Sequence, residues 1–440
     1  MRSPNRAMRS PHDREILRLA IPALGALASE PLYVLVDTAI VGHLGTMQLS
    51  ALARAGTVLT TTFTVFNFLT YGTTAQVARL HGAGEHERAT RLGMQAFWLG
   101  LGIGMVLLVA LIALADQAVA LMGARGEVAD EAATYLRISA LGAPAFMIAA
   151  SAQGYLRGIS DLRTPLIILV VAQVMNALLQ VLFVYGFGWG LEGSAWGTVL
   201  AQVGMGLAFA RIQARGGWRK PRLRQIVPLM RVGSEIAVRT TALVGSFLIA
   251  TAVLGRVGDA SVSAHQIVFN LFIFMALVLD AIAIAGQVMV GRLLGAGDPG
   301  AAREAAMRMI GWSVLAGTIF GAFLLALGDV LPRLFTSDQA VIERADAIWL
   351  LFALSMPANA AVFALDGILI GAGDTRYLMW GMLAAAVTFI ALSLLTLQQG
   401  WGIEGVWWGL VALIGVRLIT CAARFASNAW ASTGARPREA

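Results

Sequence analysis

Twelve long apolar stretches follow one another along this chain with only short polar intervals between them. They lie near residues 16–41, 49–78, 92–115, 131–153, 165–186, 193–213, 228–254, 261–291, 305–328, 343–368, 377–397 and 403–424. About 20 apolar residues carry a helix across the hydrocarbon of a bilayer. A backbone in lipid must also satisfy its own hydrogen bonds, so the pattern predicts an all-α membrane protein with twelve transmembrane helices. Of the 440 residues only 13% are charged and 58% are hydrophobic, which an ordinary soluble domain does not match. No interval has room for a large soluble domain. The first stretch is too long for the apolar region of a signal peptide and lacks an A-x-A exit, so it reads as a span that the mature protein keeps.

A net charge of +7 would suit a nucleic-acid partner, but the basic residues are placed for a membrane instead. One set of alternate segments holds Arg2, Arg6, Arg9, Arg14 and Arg18, then Arg79, Arg88 and Arg91, Arg157 and Arg163, the run from Arg211 to Arg231 with Lys220, then Arg292, Arg303, Arg308, Arg376, Arg436 and Arg438. The opposite set has Arg54, Arg125, Arg256, Arg333 and Arg344. By the positive-inside rule both termini and the 214–227 linker are cytoplasmic, in a multi-pass protein of the cell (inner or plasma) membrane.

The chain also repeats itself. Val41-Gly42-His43-Leu44-Gly45 returns as Leu254-Gly255-Arg256-Val257-Gly258, and Arg79-Leu80-His81-Gly82-Ala83-Gly84 as Arg292-Leu293-Leu294-Gly295-Ala296-Gly297. Pro144 maps to Pro357, and Gly158-Ile159-Ser160-Asp161-Leu162-Arg163 to Gly371-Ala372-Gly373-Asp374-Thr375-Arg376, all at an offset of 213. One residue less aligns Gly188-Trp189-Gly190-Leu191-Glu192-Gly193 with Gly400-Trp401-Gly402-Ile403-Glu404-Gly405. Chance resemblance between apolar segments would not hold one register over so many loops. Six spans return the chain to its starting side, so residues 1–213 and 228–440 read as parallel six-helix repeats joined by the cytoplasmic linker 214–227.

Catalytic and cofactor motifs are lacking. The G-x-G-x-x-G pattern at Gly188 and Gly400 sits in tight turns between spans rather than in a βαβ unit, and His86-Glu87 has Thr90 where a zinc protease needs its second histidine. The lone Lys220 precedes a proline, so no P-loop exists; the lone Cys421 can form neither an internal disulfide nor a thiolate cluster. The chain is therefore expected to be no enzyme, to hold no cofactor or metal, and to draw any pumping from an ion gradient.

Ionisable and polar groups inside spans are costly and point to function, although some only hold helices together. Asp37, Gln180 and Thr198 lie at nearly one depth, roughly 8 Å below the outer boundary at about 1.5 Å per residue, with Asn176 and Gln173 successively one turn deeper on the face of Gln180. They predict a polar cavity in the first half. Glu30 shares the face of Asp37, and Pro22 and Pro31 should bend or break that helix. Asp37 maps to Ala250, whereas Asp280 and Asp366 map to Asn67 and Gln153, so each acid is unique to its half. Asp366 is expected to be wet, near the inner end of its span, and Glu235 and Arg239, one turn apart, to neutralise each other. Histidines mark no site; His265 falls near a span end.

Val36-Asp37-Thr38-Ala39-Ile40-Val41-Gly42-His43-Leu44-Gly45 resembles the first-helix motif of the multidrug and toxic compound extrusion (MATE) transporters, in their DNA-damage-inducible-F branch. Leu279-Asp280-Ala281-Ile282-Ala283-Ile284-Ala285, Leu365-Asp366-Gly367-Ile368-Leu369-Ile370-Gly371-Ala372 and the Gly-Ala-Gly loops are similar to that branch too. The resemblance implies two lobes forming a V and export of amphipathic or cationic organic compounds in exchange for protons or sodium. It also implies a coupling site at Asp37 with Asn176 and Thr198. Gln180 stands where many relatives carry aspartate, and Gln287 where many carry glutamate, which leaves Asp37 as the leading titrating group. The expected partners are small organic substrates, the coupling ion and the lipid bilayer, with the protein acting as a monomer. The alternative is a flippase for a lipid-linked intermediate. It would favour an arginine-lined cavity, and by this reading only Arg239, with Arg137 near a span end, lies inside the membrane.

Overall fold

A computed structural model describes residues 11–435, and all regular structure in them is helical. Arg2, Arg6, Arg9, Arg436 and Arg438, on which the orientation of the termini leans, lie outside the described residues. The first half comprises α1 (Pro11–Gly42), α2 (Thr46–Val65), α3 (Phe68–Gly82), α4 (His86–Ala113), α5 (Ala115–Leu121), α6 (Glu127–Ala140), α7 (Ala143–Gly158), α8 (Arg163–Val181), a π-helical turn (Leu182–Gly186) and α9 (Gly190–Ala214). The second comprises α10 (Leu223–Val257), α11 (Asp259–Gly295), α12 (Pro299–Ala326), α13 (Leu331–Phe335), α14 (Gln339–Gly371), α15 (Thr375–Gln399) and α16 (Gly402–Ala426). Among the described residues eleven helical stretches, with α2 and α3 counted as one, are long and apolar enough to cross a membrane, and the count reaches twelve with α6 and α7, bent by 50°, taken as one span. Lipid explains the surface, where large apolar side chains such as Val106, Val109, Leu207 and Ile319 stand exposed.

The repeat extends to backbone conformation. Left-handed turns occur at Gly84 and Gly297, at Gly188 and Gly400, and at Ser160 and Gly373, each pair at the sequence offset. Close packing repeats as well. A Cβ on Gly154 would meet the Thr70 carbonyl at 2.7 Å, and one on Gly367 the equivalent Ala283 carbonyl at 2.2 Å. With Gly158 and Gly371 these form a small-x-x-x-small face that lets α7 approach α3 and α14 approach α11. Gly367→Ala must push two backbones apart and should cost about 1–3 kcal/mol. A thermal midpoint equal to that of the parent protein in detergent would contradict this packing.

The halves also differ, and the sequence explains where. From Arg163 to Gly188 the first half has one residue more than the second from Arg376 to Gly400, and the π turn Leu182–Gly186 accommodates it. The break between α6 and α7 falls at Leu141 and Gly142, beside Pro144, whereas α14 runs unbroken through Ser355 and Pro357. A Cβ on Gly142 would lie 1.8 Å from the Gln202 side chain, so a side chain from α9 fills the bend. Pro22 and Pro31, expected to bend or break α1, leave it one continuous helix. Each removes one donor, and in lipid no water competes for the remaining backbone bonds.

Two compact units emerge, Gly25–Gly233 and Met1–Leu24 with Ser234–Ala440. The opening turns of α1 are held in the second unit by Asp13, which accepts from Arg308 and from Trp312 Nε1 at 3.0 Å each, and by Glu15, which pairs with Arg292 at 2.6 Å. The opening turns of α10 are held in the first, where Ile226 and Leu229 pack on Leu69, Ala96 and Leu99. The linker is tied down as well. Buried Gln95 accepts from Arg222 N and donates to the Lys220 carbonyl, and Trp98 donates to the Arg219 carbonyl.

Candidate functional site

A cavity of about 560 Å³ opens among the helices of the unit Gly25–Gly233, in the range that takes drug-sized molecules. Helix α1 supplies one wall with Glu30, Tyr33, Asp37 and Thr38; α8 supplies Gln173 and Asn176, and α9 supplies Thr198. The α-helical period puts Glu30, Tyr33 and Asp37 on one stripe, and Asn176 one turn from Gln180. Glu30 exposes its side chain to the cavity, while Asp37 is 5% exposed.

The polar groups are joined by hydrogen bonds. Ser194 Oγ donates to Asp37 Oδ1 at 2.7 Å. One turn further along α9, Thr198 Oγ1 lies 3.2 Å from Tyr33 Oη and donates to Asn176 Oδ1 at 3.5 Å. Gln180 Nε2 donates to Asn176 Oδ1 at 3.0 Å and to Thr198 Oγ1 at 3.4 Å. The buried Gln180 Oε1 has no partner among the described residues. Close packing holds Gln180 here, because a Cβ on Gly197 of α9 would lie 3.0 Å from its backbone nitrogen. Just beyond, Tyr185 of the π turn donates to the Ile40 carbonyl at 2.6 Å and ties the end of α8 to α1. All these acceptors are oxygens, a set suited to a proton or a hard cation. Among the described residues no cluster of three or more His, Cys, Asp or Glu could hold a metal.

Asn176, Gln180 and Thr198 thus form one hydrogen-bonded group, and Asp37 is bonded to Ser194 one turn before Thr198 on α9. Glu30, Asp37, Asn176 and Thr198 line one cavity, with Gln180 buried behind it. Asp280 and Asp366 belong to the other unit. Asp280 is half-buried on α11 and does not line the cavity, although its counterpart Asn67 does. Asp366 is not wet. It is buried on α14, and its Oδ2 accepts from both Arg239 of α10 and Arg417 of α16. Arg239, expected opposite Glu235, pairs with Asp366, while Glu235 accepts from the Thr375 hydroxyl. Arg417 was not foreseen inside a span, because counting basic residues by loop passes over one in the middle of α16. Around the cluster is a crevice of about 10 Å³, room for one water at most. His265 is buried in the core against Phe269 and Trp407.

The sequence reading also missed Tyr33, Ser194 and Arg157. Tyr33 and Ser194 each lie one turn before a residue it did select, Asp37 and Thr198, so helical spacing would have found them. Arg157 was assigned to a loop, but α7 carries it to the cavity wall.

The sequence pattern of the MatE family matches this chain twice, over residues 22–182 and 236–395. The chain belongs to the MatE family. The two matches are the two repeats. Among relatives of this MatE transporter, Protein DETOXIFICATION 44, chloroplastic, of Arabidopsis thaliana is 29% identical over 94% of this chain and 82% of its own length. DNA damage-inducible protein F of Escherichia coli (strain K12) is 29% identical over 93% of this chain and 91% of its own. The probable multidrug resistance protein NorM of Thermotoga maritima is 27% identical over 97% and 95%. A MATE crystal structure in the bent conformation shares the fold, with a TM-score of 0.86 at 21% identity over 96% of this chain and 97% of that one. The MatE transporter is a multi-pass membrane protein and not an enzyme.

Proposed function

We propose that this MatE transporter is a secondary active antiporter that exports amphipathic or cationic organic compounds in exchange for protons, or sodium, by alternating access. Both termini lie in the cytoplasm, and Asp37 is the coupling acid. One observation carries the reading. The positions equivalent to Asp37, Asn176, Ser194 and Thr198 hold Ala250, Phe389, Val406 and Leu410, all in the apolar core of the second half. The fold is therefore stable with no polar group at these places, and in the first half they serve something other than packing. Glu30 and Asp37 favour a cationic ligand or the coupling ion in this cavity. Relatives named multidrug resistance proteins, such as PmpM of Pseudomonas aeruginosa, support the substrate class.

A flippase for a lipid-linked intermediate would favour an arginine-lined cavity. Arg157 is a single arginine on this cavity's wall beside Glu30 and Asp37, and Arg239 and Arg417 are both engaged by Asp366, around a crevice with no room for a phosphate, so the charge of the cavity favours the exporter. Dye export from proteoliposomes under separately imposed proton and sodium gradients tests the antiporter. Export should follow one of the two gradients without ATP. Transport that survives collapse of both gradients but stops without ATP would contradict it.

A further inference from the structure

Comparing the halves position by position separates side chains that the fold requires from side chains added to it. Buried Arg79 has Arg292 as its counterpart, so a basic residue there belongs to the fold. Arg157 does not. It is only 7% exposed, lines the cavity one turn beyond Gln153, and donates to Gln153 Oε1 at 3.4 Å, while the equivalent position in the second half holds buried Ile370. A fold that accepts isoleucine here has no structural need for a guanidinium, and burying one is costly. Glu30 passes the same filter, since its counterpart is Leu243.

Topology places Asp37 and Arg157 apart, with Glu30 on α1 between them, about one turn from the end that holds Arg157. The cavity follows α1 from Ala26 to Thr38, about 18 Å at 1.5 Å per residue. Asp37 lies at the end where α9 begins, near Thr198, and Arg157 at the other, with Leu169 of early α8 and Met205 of later α9. Between the ends, Phe63 and Phe146 stack with ring centroids 4.5 Å apart, an apolar wall for a flat ligand body.

We propose that Arg157 anchors a carboxylate, so that the cavity selects zwitterionic amphiphiles, held by a cationic group at Asp37 and an anionic group at Arg157. This rests on the export reading and narrows its substrate class. A guanidinium presents a fork of donors that matches a carboxylate, and in a buried site such bonds are stronger than in water. A lysine in its place keeps the charge but not the fork.

Fluorescence titration of the purified full chain with a xanthene dye carrying a free carboxylate beside its delocalised cation, and with the methyl ester of that dye, tests the proposal. The parent protein should bind the acid about tenfold more tightly than the ester. Arg157→Gln and Arg157→Ile should remove that preference by weakening the acid alone, with ester binding within about twofold, and Arg157→Lys should keep part of it. Thermal midpoints report on folding, and the dye-against-ester comparison in the parent stands if a variant misfolds. Equal binding of acid and ester by the parent overturns the proposal and leaves the export reading intact, as does equal loss of both in a stable variant. Failure to bind either dye, together with no gradient-driven export of the ester, overturns both.

Discussion

Asp37→Asn should abolish gradient-driven export while leaving the folded protein abundant in the membrane. Asparagine keeps an acceptor for the Ser194 hydroxyl, whose bond to Asp37 spans 2.7 Å, so packing is preserved and only the exchangeable proton is lost. In the proposed cycle the carboxylate attracts a cationic substrate, and protonation from the outside removes that attraction where release is needed. For one proton a tenfold gradient supplies about 1.4 kcal/mol, enough for modest uphill export. Asp37→Asn imitates the protonated form permanently. Asp37→Glu retains some activity if the cavity tolerates one more methylene. Proteoliposomes loaded with dye and given an imposed proton gradient measure this directly. Near-normal pH-dependent export by Asp37→Asn would reduce the carboxyl to a structural role.

Much of this site was legible because a helix converts sequence spacing into depth and direction. Asp37, Gln180 and Thr198 were placed together by counting residues from the turns at Gly42, Gly186 and Gly193, and the hydrogen bonds run among these residues and their neighbours. The register also reported its own exception: the offset falls from 213 to 212 where the π turn Leu182–Gly186 takes up the extra residue. What counting could not give was the partner across helices. Glu235 and Arg239 are one turn apart and were matched by local spacing, but Asp366 and Arg417 lie 127 and 178 positions from Arg239 and reach one another only through packing. Breaks were also hard to place. Proline alone suggested a bent or broken α1, yet α1 is continuous and a 50° bend falls at Leu141–Gly142, where a missing side chain makes room for Gln202.

Asp366→Asn should act in the opposite way to Asp37→Asn, by removing folded protein rather than coupling. The side chains of Asp366, Arg239 and Arg417 are 8%, 13% and 7% exposed, so water does little to screen them. Deleting the carboxylate leaves two guanidiniums facing one another across α10, α14 and α16, and removing one partner of a buried ion pair costs about 3–5 kcal/mol. The thermal midpoint in detergent should fall steeply and expression with it. The repeat supplies the matching rescue. In the first half the same three positions are Ala26, Gln153 and Met205, so the combined variant Arg239→Ala, Asp366→Gln, Arg417→Met replaces a charged cluster with a set that this fold already accepts. Neutral residues of similar volume often replace a buried ion cluster at little cost. Gln and Met meet that condition, whereas Ala at 239 leaves a void, as Ala26 does on the cavity wall of the first half. The triple variant should therefore recover part of the lost stability and, with Asp37 intact, still export along the gradient. A stable Asp366→Asn protein that binds substrate but no longer responds to the gradient would instead place the coupling acid in the second half.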